Sequence, residues 1–355
     1  MIDPHVHLRD WSQSEKETMA HGLSVASRSQ FTTLFDMPNT SPALTFPHLV
    51  SRRIEEGTSA AHKVSEQNSR EVNYAAYGGI TGDLSQIESL VSLHRHLFPR
   101  MIGLKLFAGH STGNMGISSV AQQREIYRTL TETGYRGVVA VHCEKESLMK
   151  GELFDPSYPP SHLRARPKEA EIASIEDQIR LVRSLPFKGV LHICHISTQE
   201  GIEMVAYERS RGMEITCGAT AHHALMKDDL LNTLGLLVKM NPPLRSEKDR
   251  SAVFKGLLSG EVDWIESDHA PHTRGDKEEG ASGIPGFQGT LHLIRALRGA
   301  GIGESDLDRL LGGRVNEVYR TAFSVDVPAD SMLEILIESL QGEYDTDPFS
   351  LLWEE

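Results

Sequence analysis

The chain has 355 residues, of which 39% are hydrophobic and 24% charged, and its formal net charge is −13 at pH 7. This composition is typical of a globular protein with a large core, and its negative charge argues against a nucleic-acid partner. There is no apolar run of about 18 residues and no signal-peptide pattern, so we expect no membrane partner; three scattered cysteines favour a reducing cytoplasm over a disulfide framework.

Strands and helices alternate along the chain from the first residues to about residue 270. Apolar and β-branched stretches predict eight buried strands, at 1–9, 31–37, 71–79, 101–109, 137–144, 189–197, 212–220 and 262–270. Amphipathic stretches predict helices at 15–28, 44–61, 82–95, 119–132, 167–184 and 198–209. Eight such units favour an α/β fold of the TIM-type (β/α)8 barrel over an open doubly wound sheet.

The pattern after residue 300 is helical. We therefore expect a single domain over residues 1–355, with the barrel over about 1–300 and a helical extension over 301–355.

Unusual polar residues lie at the ends of the predicted strands, where barrels of this type carry their active sites. They are His5, His7, Asn39, Lys105, His142, His195 and Asp268. A strand alternates its faces, so His5 and His7 point the same way, and Arg9 has the same parity. A single histidine is more often a core residue than a ligand, but the recurrence at strand ends favours a common site.

Four imidazoles and one carboxylate suit Zn²⁺, with Mn²⁺ or Co²⁺ as alternatives. Two metal ions also need a bridging ligand, and Lys105 is the candidate. A lysine that ends a buried strand is costly as a cation. Its neutral amine can add carbon dioxide to become a carbamate, whose two oxygens can bridge two metals. Read alone, Lys105 would more often reach outward to solvent.

Other polar residues have simpler interpretations. We interpret Cys143 and Cys194 as packing thiols, because neighbours in a strand face opposite sides. His94, on a predicted helix, is expected at the surface. The glycine-containing loop at 108–116 is expected to close over a substrate, with hydroxyl donors from Ser111 and Thr112.

Taken together, the motifs resemble the dihydroorotases, cyclic amidases of the amidohydrolase superfamily. The similar motifs are DPHVHLR at 3–9, MPNTSP at 37–42, GLKLF at 103–107, VHCE at 141–144, HICHIST at 192–198, KMNPPLR at 239–245, SDHAPH at 267–272 and GIPG at 283–286. Many relatives also have a small β-sandwich, which we expect to be absent here, as in the short dihydroorotases. Several motifs nevertheless look more like the longer class.

The resemblance implies a role for each candidate residue. The residues implied to hold two metals, with Lys105 as the carbamylated bridge, are His5, His7, Lys105, His142, His195 and Asp268. Asp268 is also implied to act as the catalytic base and then acid. The residues implied to contact the substrate are Arg9, Asn39, Thr112, Asn241, His272 and Gly286. Among them, Arg9, Asn39 and His272 would bind its carboxylate.

The implied reaction is the reversible interconversion of dihydroorotate and N-carbamoyl-L-aspartate in pyrimidine biosynthesis, without an organic cofactor. Alternatives are a hydantoinase, a dihydropyrimidinase or an allantoinase, whose substrates lack the ring carboxylate. An inactive structural homologue is a further alternative, although such proteins usually lose metal ligands. A homodimer is also expected.

Overall fold

Eight parallel strands form one sheet in which each strand pairs with its neighbours in chain order. The computed structural model describes residues 1–111, 113 and 115–352, with the backbone alone for residue 352. The strands are β1 (Ile2–Val6), β2 (Thr33–Asp36), β3 (Asn73–Gly79), β4 (Met101–Ala108), β5 (Val138–Cys143), β6 (Val190–Ile193), β7 (Ile215–Ala219) and β8 (Trp264–Ile265).

The sheet closes on itself where the first strand meets the segment after the last. Val6 bridges His269 in parallel fashion, and the His7 amide donates a hydrogen bond of 2.7 Å to the His269 carbonyl. This closure confirms the predicted (β/α)8 barrel. It also brings the N-terminal His-x-His motif next to the SDHAPH motif, more than 260 residues further along the chain.

Helices follow the strands and pack around the barrel. They are α1 (Met19–Arg28), α2 (Pro47–Asn68), α3 (Leu84–Leu97), α4 (Val120–Glu132), α5 (Ser161–Ala165), α6 (Lys168–Arg183), α7 (Gln199–Ser210), α8 (Ala221–Leu225), α9 (Leu230–Thr233), α10 (Glu247–Ser259), α11 (Arg274–Glu278), α12 (Phe287–Gly299), α13 (Glu304–Asp308), α14 (Arg314–Tyr319), α15 (Asp330–Glu338) and α16 (Pro348–Leu352). Within the described part of the chain, no helix combines the length and apolar composition needed to cross a bilayer.

Two strands are much shorter than the sequence predicts. β6 ends at Ile193 and β8 spans only Trp264–Ile265. The residues that follow include His195 and Asp268, whose φ angles are +36° and +48°. A positive φ is incompatible with a strand, so the backbone turns at these two residues. Such strained positions are frequent at functional sites.

The expectation for His94 was wrong. This α3 histidine is only 9% exposed, and its ring centroid lies 5.1 Å from that of Tyr135. Burial lowers the pKa of His94 to about 4, so the ring packs in its neutral form. Helix α3 turns this residue toward Tyr135 and Phe98 rather than to solvent.

A buried ion pair between Asp36 and Arg53 lies beneath the N-terminal His-x-His motif. Asp36 at the end of β2 accepts hydrogen bonds from Arg53 Nε (3.0 Å), Tyr74 Oη (2.7 Å) and the Leu8 amide (3.0 Å). Arg53 is fully buried and also donates to the carbonyls of Leu8 and Arg9. The pair therefore connects α2 to the backbone that follows β1.

We expect Arg53→Met to lower the free energy of unfolding by about 3–5 kcal/mol, because it leaves the Asp36 carboxylate buried without its counter-ion. Urea denaturation would measure the change. The control is Arg52→Met, since Arg52 pairs with Glu56 on the exposed face and its loss should cost less than about 1 kcal/mol. Equal losses from the two substitutions would contradict a structural role for the buried pair.

Candidate active site

Three side chains from the two ends of the chain converge at the mouth of the barrel. His5 Nε2 and His7 Nε2 lie 3.3 Å and 3.0 Å from Asp268 Oδ1. His7 Nδ1 donates to Asn39 Oδ1 at 2.5 Å, so its Nε2 carries the lone pair that faces the carboxylate. Two acceptors at this distance repel each other unless a cation lies between them. His5, His7 and Asp268 therefore fit a divalent metal.

A second pair of nitrogens converges nearby. His142 Nδ1 lies 3.1 Å from His195 Nε2, at the end of β5 and just beyond β6. His142 donates its Nε2 proton to Glu144, so its Nδ1 presents a lone pair toward His195. Burial and the neighbouring His142 hold the pKa of His195 well below its usual value, which keeps this ring neutral. This geometry fits a second cation.

The two clusters face one cavity, in which the ring centroids of His5 and His195 lie 5.2 Å apart. Nine of the residues predicted from the sequence line it: His5, His7, Arg9, Asn39, Lys105, His142, His195, Asn241 and Asp268. Ser111 of the 108–116 loop lines it as well. The structure thus brings the strand-end residues together around a single space.

Lys105 is fully buried at the base of this cavity. Its Nζ donates to Cys194 Sγ at 3.1 Å and lies 5.1 Å from the centroid of the Phe107 ring. Cys194 belongs to a buried hydrophobic cluster, but the expectation that it faces away from the site was wrong, because its sulfur contacts Lys105 and lies within reach of His5 and Glu266 as a potential ligand. The sequence alone did not indicate this contact between the lysine and the thiol.

Arg9 forms a cationic wall on one side of the cavity. The residue is 2% exposed, and its guanidinium donates to the Pro271 carbonyl and to His272 Nε2, both at 3.1 Å. It makes no ion pair with any carboxylate among the described residues. A buried guanidinium that faces a cavity in this way suits a carboxylate ligand.

Two predicted site residues, His272 and Gly286, are not on the cavity wall. His272 lies behind Arg9 and contacts it directly. Gly286 packs against Ser267, and its amide donates to His269 Nδ1, so Gly283 lines the cavity in its place. Thr112 lies outside the residues that the structure describes.

Three lining residues, namely Phe107, Ala270 and Ser282, were not predicted from the sequence. Phe107 could have been predicted from the sequence, since it lies two residues after Lys105 in the same strand and therefore on the same face. Gly283 begins the GIPG motif and adopts a φ of +136°, a conformation that favours glycine.

Two buried carboxylates orient the histidines from behind. Glu144 accepts from His142 Nε2 at 3.0 Å and pairs with Arg166. Burial raises the pKa of Glu144, but Arg166 and His142 outweigh it and lower the pKa to about 2. Glu266 accepts from His192 Nε2 at 3.1 Å and from the backbone amide of His195 at 2.5 Å. Such contacts hold a ligand ring in one tautomer and one orientation.

We expect Glu144→Gln to weaken metal binding about 10- to 100-fold, because the amide no longer holds His142 with its Nδ1 lone pair free. Competition with a chelator would measure the affinity. Glu152→Gln is the control, since Glu152 is exposed on the same loop. An unchanged affinity in Glu144→Gln would contradict the role of Glu144 in orienting His142.

Solved structures share the fold of this chain. The structure of L-hydantoinase (dihydropyrimidinase) from Arthrobacter aurescens matches with a TM-score of 0.78 and 20% identity, over 90% of this chain and 70% of that one. Dihydroorotase from Saccharomyces cerevisiae in complex with 5-fluoroorotic acid matches with a TM-score of 0.72 and 18% identity, over 90% and 84%. The chain therefore shares the barrel fold of these two proteins.

Sequence comparison defines the family. The dihydroorotase of Halobacterium salinarum is 33% identical over 314 residues, which cover 87% of this chain and 68% of that protein. Other curated dihydroorotases match as well, and the chain spans 62% of the Lactobacillus acidophilus protein and 79% of the Brevibacillus brevis protein. No protein-family model matches the chain. The chain belongs to the dihydroorotase family of cyclic amide hydrolases.

Proposed function

We propose that this chain interconverts dihydroorotate and N-carbamoyl-L-aspartate, the ring-closing step of pyrimidine biosynthesis. The observation that carries the proposal is the position of Arg9. Its buried guanidinium borders the same cavity as the histidine clusters and has no carboxylate partner among the described residues. Dihydroorotate has a cyclic amide and a ring carboxylate, and the cavity offers a matching group for each.

The proposal includes two Zn²⁺ ions, with Mn²⁺ or Co²⁺ as alternatives. The residues that would hold one ion are His5, His7 and Asp268, and His142 and His195 would hold the other. Lys105, as a carbamate, would bridge them. When bound, the metal pair would acidify a water molecule and polarise the amide carbonyl.

Asp268 would move the proton in this reaction. Asp268 lines the cavity, with its Oδ1 3.0 Å from His7 Nε2 and 3.3 Å from His5 Nε2. As a carboxylate, the group would accept a proton from the attacking water. It would then return that proton to the ring nitrogen that leaves. Ring closure uses the same transfers in reverse.

Arg9 would bind the substrate carboxylate, with His272 holding the guanidinium from behind. Asn39 contributes to the same wall, although its Oδ1 also accepts from His7. Asn241, Ser282 and Gly283 also line the cavity and would contact the ring. Closure of the 108–116 loop remains a prediction.

The second candidate is a hydantoinase-type activity, which the similarity of fold to L-hydantoinase favours. Hydantoin, dihydrouracil and allantoin lack the ring carboxylate, so Arg9 would be a buried cation without a matching group on the substrate. An inactive homologue is disfavoured, because all six proposed metal-holding residues are present.

The test is cyclisation of carbamoyl-aspartate by the purified protein, with and without a chelator. We expect turnover that the chelator abolishes and that added zinc restores, and we expect far slower turnover of hydantoin and allantoin. Turnover of hydantoin or allantoin without turnover of dihydroorotate would replace this proposal by the second candidate.

We also propose a cytoplasmic location, because all three cysteines are buried free thiols, which suits a reducing compartment. The homodimer stays a prediction.

A further inference from the structure

Lys277, on α11, is a buried cation beside the candidate active site. It is 1% exposed. Its Nζ donates hydrogen bonds to three backbone carbonyls, those of Lys239 (2.9 Å), Ala281 (3.2 Å) and Gly283 (2.8 Å). It makes no ion pair with a carboxylate within the described ranges. The positive charge is therefore held by peptide dipoles rather than by an opposite charge.

Burial and the positive charges of Lys239 and Arg9 lower the pKa of Lys277, whereas its three hydrogen bonds favour the charged amine. Three carbonyl acceptors require three N–H donors, which an ammonium group supplies. A neutral amine has only two, and its lone pair would face the third carbonyl oxygen. A buried ammonium without a counter-ion raises the positive potential of its surroundings, because the low dielectric of the interior screens it poorly.

Lys277 is connected through Gly283 to His272 and Arg9, the residues that would bind the substrate carboxylate. Gly283, whose carbonyl it holds, lines the cavity, and its Cα packs closely against Ala270 and His272. His272 in turn contacts Arg9 and the Ser282 carbonyl, both at 3.1 Å. Burial and the positive charges of Arg9, Lys16 and Lys277 lower the pKa of His272 to about 2. The field of the Lys277 ammonium thus reaches the residue that backs Arg9.

We propose that Lys277 is a specificity-determining residue that favours substrates with a ring carboxylate, through the positive potential it adds at Arg9 and His272. Lys277 does not line the cavity, so it acts without contacting the ligand. The inference rests on the proposed function, since it assigns the carboxylate to Arg9.

A variant at a second buried lysine would distinguish this electrostatic role of Lys277 from hydrogen bonding that only supports the backbone. Lys239 is 6% exposed and donates to the Gly280 carbonyl at 2.7 Å and to Ser282 Oγ at 2.5 Å. It holds the same segment, residues 280–283, but its Nζ lies over the Phe154 ring, 4.6 Å from the ring centroid. Lys239→Met is therefore the matched control for Lys277→Met.

The experiment measures the affinities of zinc-loaded protein for orotate and for its uncharged carboxamide, by calorimetric titration. We expect Lys277→Met to weaken orotate binding about tenfold and carboxamide binding less than twofold. Lys239→Met should change both affinities by the same factor. Equal weakening of both ligands in Lys277→Met, or no weakening, would overturn the inference.

Lys277→Arg is a second variant, which tests the inference if Lys277→Met does not fold. It keeps the charge while altering the hydrogen bonds, so the ratio of the two affinities should stay near that of the wild type. A large fall in this ratio would show that the charge of residue 277 does not determine the preference for orotate. Turnover of dihydroorotate by the wild type is measured in parallel, and its absence would instead overturn the proposed function.

Discussion

Replacing Lys105 with alanine should abolish turnover of dihydroorotate and empty at least one metal position. The two bridged metals would lie about 3.5–4 Å apart, a distance that the two oxygens of a carbamate can span. Alanine offers no bridging oxygen, and an unmodified ammonium in the same fully buried place would repel both cations. Metal content by mass spectrometry, together with the rate of carbamoyl-aspartate cyclisation, would measure both effects.

Chemical rescue would identify the bridge. Acetate or propionate should restore part of the activity of Lys105→Ala, because a short carboxylate offers the same two oxygens in the space that the side chain leaves. Reconstitution of the metal-free wild type with zinc should depend on bicarbonate. Lys150→Ala, at an exposed position, is the control and should behave as the wild type. An unmodified Lys105 in active, fully metallated protein would refute this assignment.

Replacing Arg9 with methionine should lower kcat/KM for dihydroorotate about 100-fold or more. Removing one partner of a buried guanidinium–carboxylate pair costs about 2–5 kcal/mol, and each 1.4 kcal/mol is about tenfold in rate. The loss for dihydrouracil, which has no carboxylate, should be much smaller. Steady-state kinetics with both substrates would measure the two losses.

The comparison of the two substrates also tests a structural role for Arg9. Its Nε holds the Pro271 carbonyl at 3.1 Å, so the substitution could disturb the loop after β8. A disturbed loop would slow both substrates equally, and equal losses would therefore contradict carboxylate binding. Arg28→Met provides a control at a partly exposed ion pair with Glu343, where no kinetic change is expected.

The periodicity of the sequence determined the barrel and most of the candidate site. Runs of β-branched and apolar residues marked all eight strands, and strand parity placed His5 and His7 on one face. Parallel strands in a closed barrel end at the same rim, so polar residues at the strand ends had to meet. Local pattern was sufficient for these features because each one depends on few consecutive residues.

Contacts between distant segments decided the rest. The turns at His195 and Asp268 shorten β6 and β8, and both residues sit in a network that only barrel closure assembles. Glu266 was recognisable only once it lay against His192 and His195, and Lys277 only once three carbonyls surrounded it. Burial and hydrogen-bond partners are properties of the packed chain. A sequence pattern cannot specify them, because residues far apart in the chain supply the neighbours.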